Sequence, residues 1–171
     1  MILNLPQIQY QVEKLAKIIG APRNILPTFG YSEQSGRPHI EVDSRGYHYV
    51  NAERGHEFSR QITLDLDELL YLVFADVTFS LSVEYELAHR IENQDGRRIM
   101  FPHQVELLSL LSPKWSERES LEHERILRQY PFDDNAGIRA TLAGNLRKQG
   151  YAEETILKMI YEKYPLPIEH A

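Results

Sequence analysis

Residues 64–90 read LDLDELLYLVFADVTFSLSVEYELAHR, and the rest of the chain is organised around them. Leu66, Leu69, Leu70, Val73, Phe74 and Val77 recur at three- and four-residue steps. That is the apolar stripe of a helix with one buried face. Asp65 or Asp67 can accept from the first free backbone N–H groups, and an acidic first turn suits the positive end of the helix dipole. After Val77 the pattern changes, and Phe79, Leu81, Val83 and Tyr85 alternate. The change predicts a bend and then a second helical segment, with a short strand as the alternative. No other stretch is as apolar over a comparable length, so this one is expected to form the central wall of the core.

Immediately upstream, residues 37–63 read RPHIEVDSRGYHYVNAERGHEFSRQIT. Two turn signals, Asp43-Ser44-Arg45-Gly46 and Glu53-Arg54-Gly55, separate three runs. The first suits a type I turn followed by a left-handed glycine. The expected structure is a three-stranded antiparallel meander. With that turn Val42 faces His48 and Ile40 faces Val50, and Phe58 and Ile62 on the third strand can join their apolar face. The helix from Asp65 is the natural cover for it. The fold class is therefore α+β, a meander packed against a mostly helical bundle.

Helical periodicity fills most of the remainder. Ile8, Val12, Leu15 and Ile19 share one face of a helix over residues 7–19, with Gly20 as its stop. Residues 21–37 carry Pro22, Pro27, Gly30 and Gly36 and read as a loop. Residues 92–98 are charged and form a link. Val105, Leu107, Leu108 and Leu111 mark the next helix, and Ser112-Pro113 reads as an N-cap with proline at the first helical position. In the helix from Pro113 to Tyr130, Glu117, Glu119, Glu122 and Glu124 are expected to face water. Asp133 or Asp134 can cap a further helix through Ile138, Leu142 and Leu146. Gly150 separates that helix from the last one, which carries Ile156, Leu157, Ile160 and Tyr161, and the two form a helical hairpin.

The bulk numbers bound the function. A chain of 171 residues with 42% hydrophobic content suits a single globular domain, 1–171. A net charge of −6 opposes non-specific nucleic-acid binding, which needs a basic face, and favours a basic partner. There is no cysteine, which excludes disulfides, cysteine nucleophiles and thiolate metal sites. The start, MILNLPQIQY, lacks a basic n-region and a long apolar h-region, so no signal peptide is expected. The longest apolar run, Leu69 to Ala75, is too short for a membrane span.

Motifs for catalysis are missing. Neither G-x-S-x-G, G-x-x-x-x-G-K nor G-x-G-x-x-G occurs. Around His123 the sequence Glu122-His123-Glu124 hints at a zinc helix, but the position four residues on is Leu127 rather than histidine. The most site-like group is His39, Glu41 and Asp43, at alternate positions along one predicted strand, with Tyr47 and Tyr49 expected across from Glu41 and Asp43. A metal site or an acid–base pair would use such a group, whereas a solvent-facing sheet surface shows the same alternation. Tyrosine is abundant, ten residues, and exposed tyrosines suit protein interfaces. His39, Glu41, Asp43, Tyr47 and Tyr49 are accordingly the candidate partner-binding surface. No catalytic, cofactor-binding or metal residue is assigned.

Several pieces taken together resemble the bacterial immunity protein 63 family. They are Arg37-Pro38-His39-Ile40-Glu41-Val42, Gly46-Tyr47-His48-Tyr49-Val50, Asp67-Glu68-Leu69-Leu70-Tyr71, Phe74 with Asp76-Val77-Thr78, and Arg90-Ile91-Glu92 leading to Asp95 and Arg97-Arg98. The resemblance covers residues 22–130 and leaves the hairpin, about 133–165, outside it. It implies a cytoplasmic protein, encoded beside a secreted polymorphic toxin, that binds the toxic domain of that cognate toxin and is not an enzyme. It transfers no catalytic residues. Two competing readings are a small metal-dependent enzyme using His39, Glu41 and Asp43, and an adaptor that binds through the C-terminal hairpin.

Overall fold

The structure, a computed structural model, describes residues 2–168. Chain contacts group into two compact units. One comprises the chain through Leu81 with Gln104–Glu117, and the other Ser82–His103 with the chain from Arg118 onward.

The first unit begins with α1 (Leu5–Ile18). Its start lies two residues earlier than the apolar spacing suggests, because Asn4 and Gln7 form a reciprocal capping box, each side chain bonding the other's backbone N–H at 3.0 Å. Gly20, at φ +67°, ends the helix in the left-handed conformation that glycine adopts without strain. The expected loop that follows holds a 3₁₀ turn (Arg23–Ile25) and a two-residue strand, β1 (Thr28–Phe29).

The three predicted strands are present as β2 (His39–Asp43), β3 (Gly46–Glu53) and β4 (His56–Thr63). With β1 they make a four-stranded sheet in the order β1-β2-β3-β4, in which β1 runs parallel to β2 and the other pairs are antiparallel. The meander is thus extended by one parallel strand too short to leave a periodic signal.

The register between β2 and β3 differs by one residue from the sequence expectation. Val42 pairs with Tyr47, Glu41 with His48, Ile40 with Tyr49 and His39 with Val50. Gly46, at φ +127°, is the first residue of β3, paired with Asp43, instead of a bulged turn residue. A Cβ there would sit 2.4 Å from the Thr63 carbonyl oxygen, so the close approach of β3 and β4 requires glycine. Because side chains alternate with period two, this single step changes which residues share a face. Tyr47 and Tyr49 lie with Ile40 and Val42 in the core, and His48 lies with His39 and Glu41 on the opposite face.

Phe58 and Ile62 do not join the apolar face. A bulge between Asn51 and Ala52 on the β3 side leaves Phe58 as an extra residue of β4. Phe58 and Ile62 are 63% and 44% exposed.

The predicted cover is present. α2 (Leu66–Ala88) lays Leu69, Leu70, Val73, Phe74 and Val77 in one cluster with Ile40, Tyr47 and Tyr49, and α1 adds Ile8, Val12 and Ala16. Asp65 caps α2, its Oδ1 accepting from the Asp67 N–H at 2.9 Å. Two further helices are α3 (Arg97–Leu111) and α4 (Pro113–Gln129). They supply Leu108 and Trp115 to this core, and the Phe74 and Trp115 rings stack at 6.1 Å. Trp115 Nε1 and Lys114 Nζ both donate to Asp67, at 3.0 and 2.7 Å.

The bend expected after Val77 is absent: α2 is one helix of 23 residues. Its buried stripe continues as Thr78, Ser82 and Glu86, spaced by four, while Phe79 and Tyr85 are exposed. The apolar pattern fails because the inward face is polar there, not because the helix stops. Thr78 turns its hydroxyl onto the Phe74 carbonyl at 2.6 Å, and Gln104 donates to the Ala75 carbonyl at 3.0 Å.

In the second unit, Glu119 is buried beside His123, 3.3 Å away, rather than facing water as expected, and His123 stacks on Phe101 at 3.8 Å. The helical hairpin is present as α5 (Ala136–Lys148) and α6 (Glu153–Lys163). Its core is Ala143, Leu146, Ile156 and Ile160. Asp133 and Asp134 do not cap α5. Asp133 pairs with the buried Arg139, and Asp134 with Arg98 at 2.9 Å. Asp95 accepts from the Arg97 side chain and from the backbone N–H groups of Arg97 and Asp133, which tie residues 95 and 133 together. Burial opposes its charge, yet these bonds hold its pKa down at about 2.

Candidate functional site

The candidate surface is the face of the sheet opposite the helices, and it is built by register. On β2, alternation sends His39, Glu41 and Asp43 to this face, and the pairing adds His48 and Val50 from β3. The bulge in β4 brings both Glu57 and Arg60 to it, since they pair with Ala52 and Val50 respectively.

These side chains form one connected network. Arg60 donates to Glu57 through Nε at 2.9 Å and through Nη2 at 2.8 Å. Its Nη1 reaches Glu41 Oε2 and His48 Nδ1, both at 2.6 Å. The other Glu41 oxygen meets His39 Nε2 at 3.0 Å. His48 Nε2 meets Asp43 Oδ1 at 2.8 Å, and Asp43 holds Arg45 through Oδ2 at 2.7 Å and the Arg45 backbone N–H at 2.8 Å. The chain of contacts therefore runs Glu57–Arg60–Glu41–His39 with a branch Arg60–His48–Asp43–Arg45.

Burial divides the network into a floor and a rim. The imidazoles of His39 and His48 are buried, and the Glu41 and Asp43 side chains are 40% exposed. The Arg60 hydrogen bond, followed by that of His39, keeps the Glu41 carboxyl below its ordinary range against the opposing effect of burial. Arg45 holds Asp43 well below that range, and the Arg60 hydrogen bond lowers the pKa of Glu57. Glu57 and Glu41 in turn raise Arg60 further above an already high value. Every carboxylate of the group is ionised across the physiological range, and none is poised to exchange a proton there. The arrangement offers fixed charges in fixed positions, which is what a docking surface needs.

The structure brings three of the five predicted residues, His39, Glu41 and Asp43, onto this face. It sends Tyr47 and Tyr49 to the other side, where they are 1% and 3% exposed. The reason is the one-residue register step described above. Tyr47 Oη accepts from the Leu3 N–H at 2.9 Å, and Tyr49 donates its hydroxyl to Asp76 Oδ2 at 2.7 Å. Burial and then the Asp76 charge push the Tyr49 hydroxyl well above its usual pKa. These tyrosines anchor the sheet to α2 and the N-terminal segment. The residues missed by sequence reading are Arg45, His48, Glu57 and Arg60. Only the register and the bulge bring Glu57 and Arg60 to the same face, and no spacing rule along the chain signals that.

Among the described residues, no group of three or more His, Asp or Glu side chains is arranged to hold a metal ion. Glu41 and Asp43 are each engaged by a guanidinium instead. No described helix is long and apolar enough to cross a membrane.

In comparison with known families, residues 43–125 match the family described as Immunity protein 63. The matched stretch takes in Asp43, Arg45, Tyr47, His48, Tyr49, Glu57 and Arg60. It begins after His39 and Glu41 and ends within α4, before the α5–α6 hairpin. No curated protein and no solved structure matches the chain.

Proposed function

We propose that this protein, whose residues 43–125 match the family described as Immunity protein 63, neutralises a cognate secreted polymorphic toxin by binding and covering its toxic domain. The protein performs no turnover in this reading and acts in the cytoplasm of the producing cell. The family match carries the proposal. The polar sheet face supports it, because the carboxylates of Glu41, Asp43 and Glu57 are held charged and oriented by Arg45 and Arg60. Such a surface selects a partner by charge complementarity and accelerates its capture. With a net charge of −6 the favoured partner is basic.

The binding surface consists of Glu41 and Asp43 at its rim, with Arg45 and Glu57 beside them. His39 is floor, and Tyr47 and Tyr49 position the sheet from behind. Covering a toxin needs about 800 Å² on each partner, more than these residues alone provide, so the contact spreads beyond them.

The test is co-expression with the toxin domain encoded beside this gene. Wild-type protein should restore growth. The paired change Glu41→Gln and Asp43→Asn removes the charges while keeping the shapes, and should weaken protection with the thermal midpoint little changed. Charge reversal is the poorer choice, because a lysine at position 41 would face Arg60, whose Nη1 lies 2.6 Å from Glu41 Oε2. Growth arrest in the presence of folded wild-type protein would remove this reading.

A further inference from the structure

β4 is the last strand of the sheet, and no strand pairs with its outer side among the described residues. We propose that this outer edge, over Ser59–Thr63, takes up an extended strand of the toxin domain in antiparallel or parallel pairing. The inference rests on the immunity reading and specifies how the partner is held.

The direction of the backbone groups follows from the register. Gly30 donates to the Ile40 carbonyl at 2.8 Å, so Ile40 points its backbone toward β1 and away from β3. His39, Glu41 and Asp43 therefore bond toward β3, and their partners Val50, His48 and Gly46 bond back toward β2. The Ala52 carbonyl, accepting from the Gly36 N–H at 3.1 Å, continues that alternation on the same side. Tyr47, Tyr49 and Asn51 are then left to bond β4 through Thr63, Gln61 and Ser59. Arg60 and Ile62 consequently point their N–H and C=O groups outward, at an edge with no strand beyond it.

Proteins usually blunt such an edge with a bulge or a charge. Here the bulge lies at Phe58 and disturbs only the turn-proximal part of β4. Ser59–Thr63 is regular, and five residues is an ordinary strand length. Arg60, the charge in this run, is folded back onto Glu41, His48 and Glu57 and does not guard the edge. Beside the open groups stand the exposed side chains of Phe58, Ile62 and Leu64.

Chemistry favours the toxin over a second copy of this chain. Two copies paired through this edge would each bring a charge of −6 to the contact, whereas a basic partner is drawn to it. A foreign strand with an apolar residue against Ile62 and a basic one near Glu57 would satisfy both. A strand added there also continues the sheet that carries Glu41 and Asp43, so edge and face would form one interface.

Proline at position 62 is the selective probe. The Ile62 N–H points outward, so Ile62→Pro removes an edge donor while leaving the β3–β4 ladder intact. Ile62→Ala keeps that donor and loses only side-chain contact. The toxin domain encoded beside the gene is recovered from the co-expressed complex in denaturant, refolded and titrated with full-length wild type and both variants. Ile62→Pro should bind at least about tenfold more weakly than Ile62→Ala, as expected for loss of a backbone bond and a clash at the ladder. In the wild-type complex the Arg60 and Ile62 amides should exchange hydrogen more slowly than in the free protein. Unchanged affinity of folded Ile62→Pro, or unchanged exchange at both amides, would overturn the edge while leaving the immunity reading standing. Failure of wild type to bind would overturn both. Self-association of the protein abolished by Ile62→Pro would assign the edge to a second copy and likewise overturn the proposal.

Discussion

Ile40 and Glu41 are consecutive in β2 and lie on opposite faces of the same sheet. Ile40 is fully buried with Tyr47, Tyr49 and the α2 stripe. Glu41 belongs to a half-open network of two histidines, two arginines and two further acids. The first face is apolar with two tyrosine hydroxyls bonded at its margins, and its stabilisation comes from area removed from water. The second gains little stability from each ion pair, because half-exposed pairs exchange solvation for Coulomb attraction at near balance. One strand thus carries the scaffold on one side and the proposed recognition surface on the other.

Substitution should separate the two. Ile40→Ala deletes buried aliphatic groups and should cost about 2–5 kcal/mol, read as a large fall in the urea midpoint. Tyr49→Phe removes one hydroxyl bond to Asp76 and should cost about 0.5–1.5 kcal/mol, with the fold retained by circular dichroism. Arg60→Met on the other face should cost no more than about 1 kcal/mol while lowering affinity for the proposed toxin partner. If Arg60→Met destabilises as much as Ile40→Ala, the division of labour between the faces is wrong.

Acid sharpens the same contrast. Glu41 and Glu57 have pKa values lowered on folding, chiefly by Arg60. A lowered folded-state pKa contributes stability that is present above the unfolded value, about 4.3 for glutamate, and lost as pH falls through the folded value. Asp95 acts in the same direction down to about 2. The urea midpoint should therefore drop between neutral pH and pH 3. Arg60→Met should reduce that drop without abolishing it, since Asp95 and Asp43 keep their own partners. An unchanged pH dependence in Arg60→Met would detach Arg60 from the acids it contacts.

Much of this was legible in the chain. Asp43-Ser44-Arg45-Gly46 and Glu53-Arg54-Gly55 located both hairpin turns, and Leu69, Val73, Phe74 and Val77 identified the helix that covers the sheet. The β2–β3 register stayed hidden because it depended on a single turn geometry. Treating Gly46 as a bulged residue shifts β3 by one position, which is enough to turn Tyr47 and Tyr49 outward and His48 inward. The polar stripe Thr78–Ser82–Glu86 concealed the second half of α2 because hydrophobic periodicity reports a buried face only where that face is apolar. Arg60 and Glu57 could not be assigned to the face of Glu41 without knowing that Phe58 bulges.

The most direct measurement of the central claim is a stoichiometric titration of toxin activity. Increasing amounts of the protein are added to a fixed amount of the proposed cognate toxin domain, and residual toxic activity is followed over time. A covering mechanism predicts that activity falls linearly to zero at a fixed molar ratio and that sub-stoichiometric mixtures hold a constant residual activity. Progressive loss of all activity at sub-stoichiometric amounts would mean that each copy acts repeatedly, and would contradict neutralisation by binding.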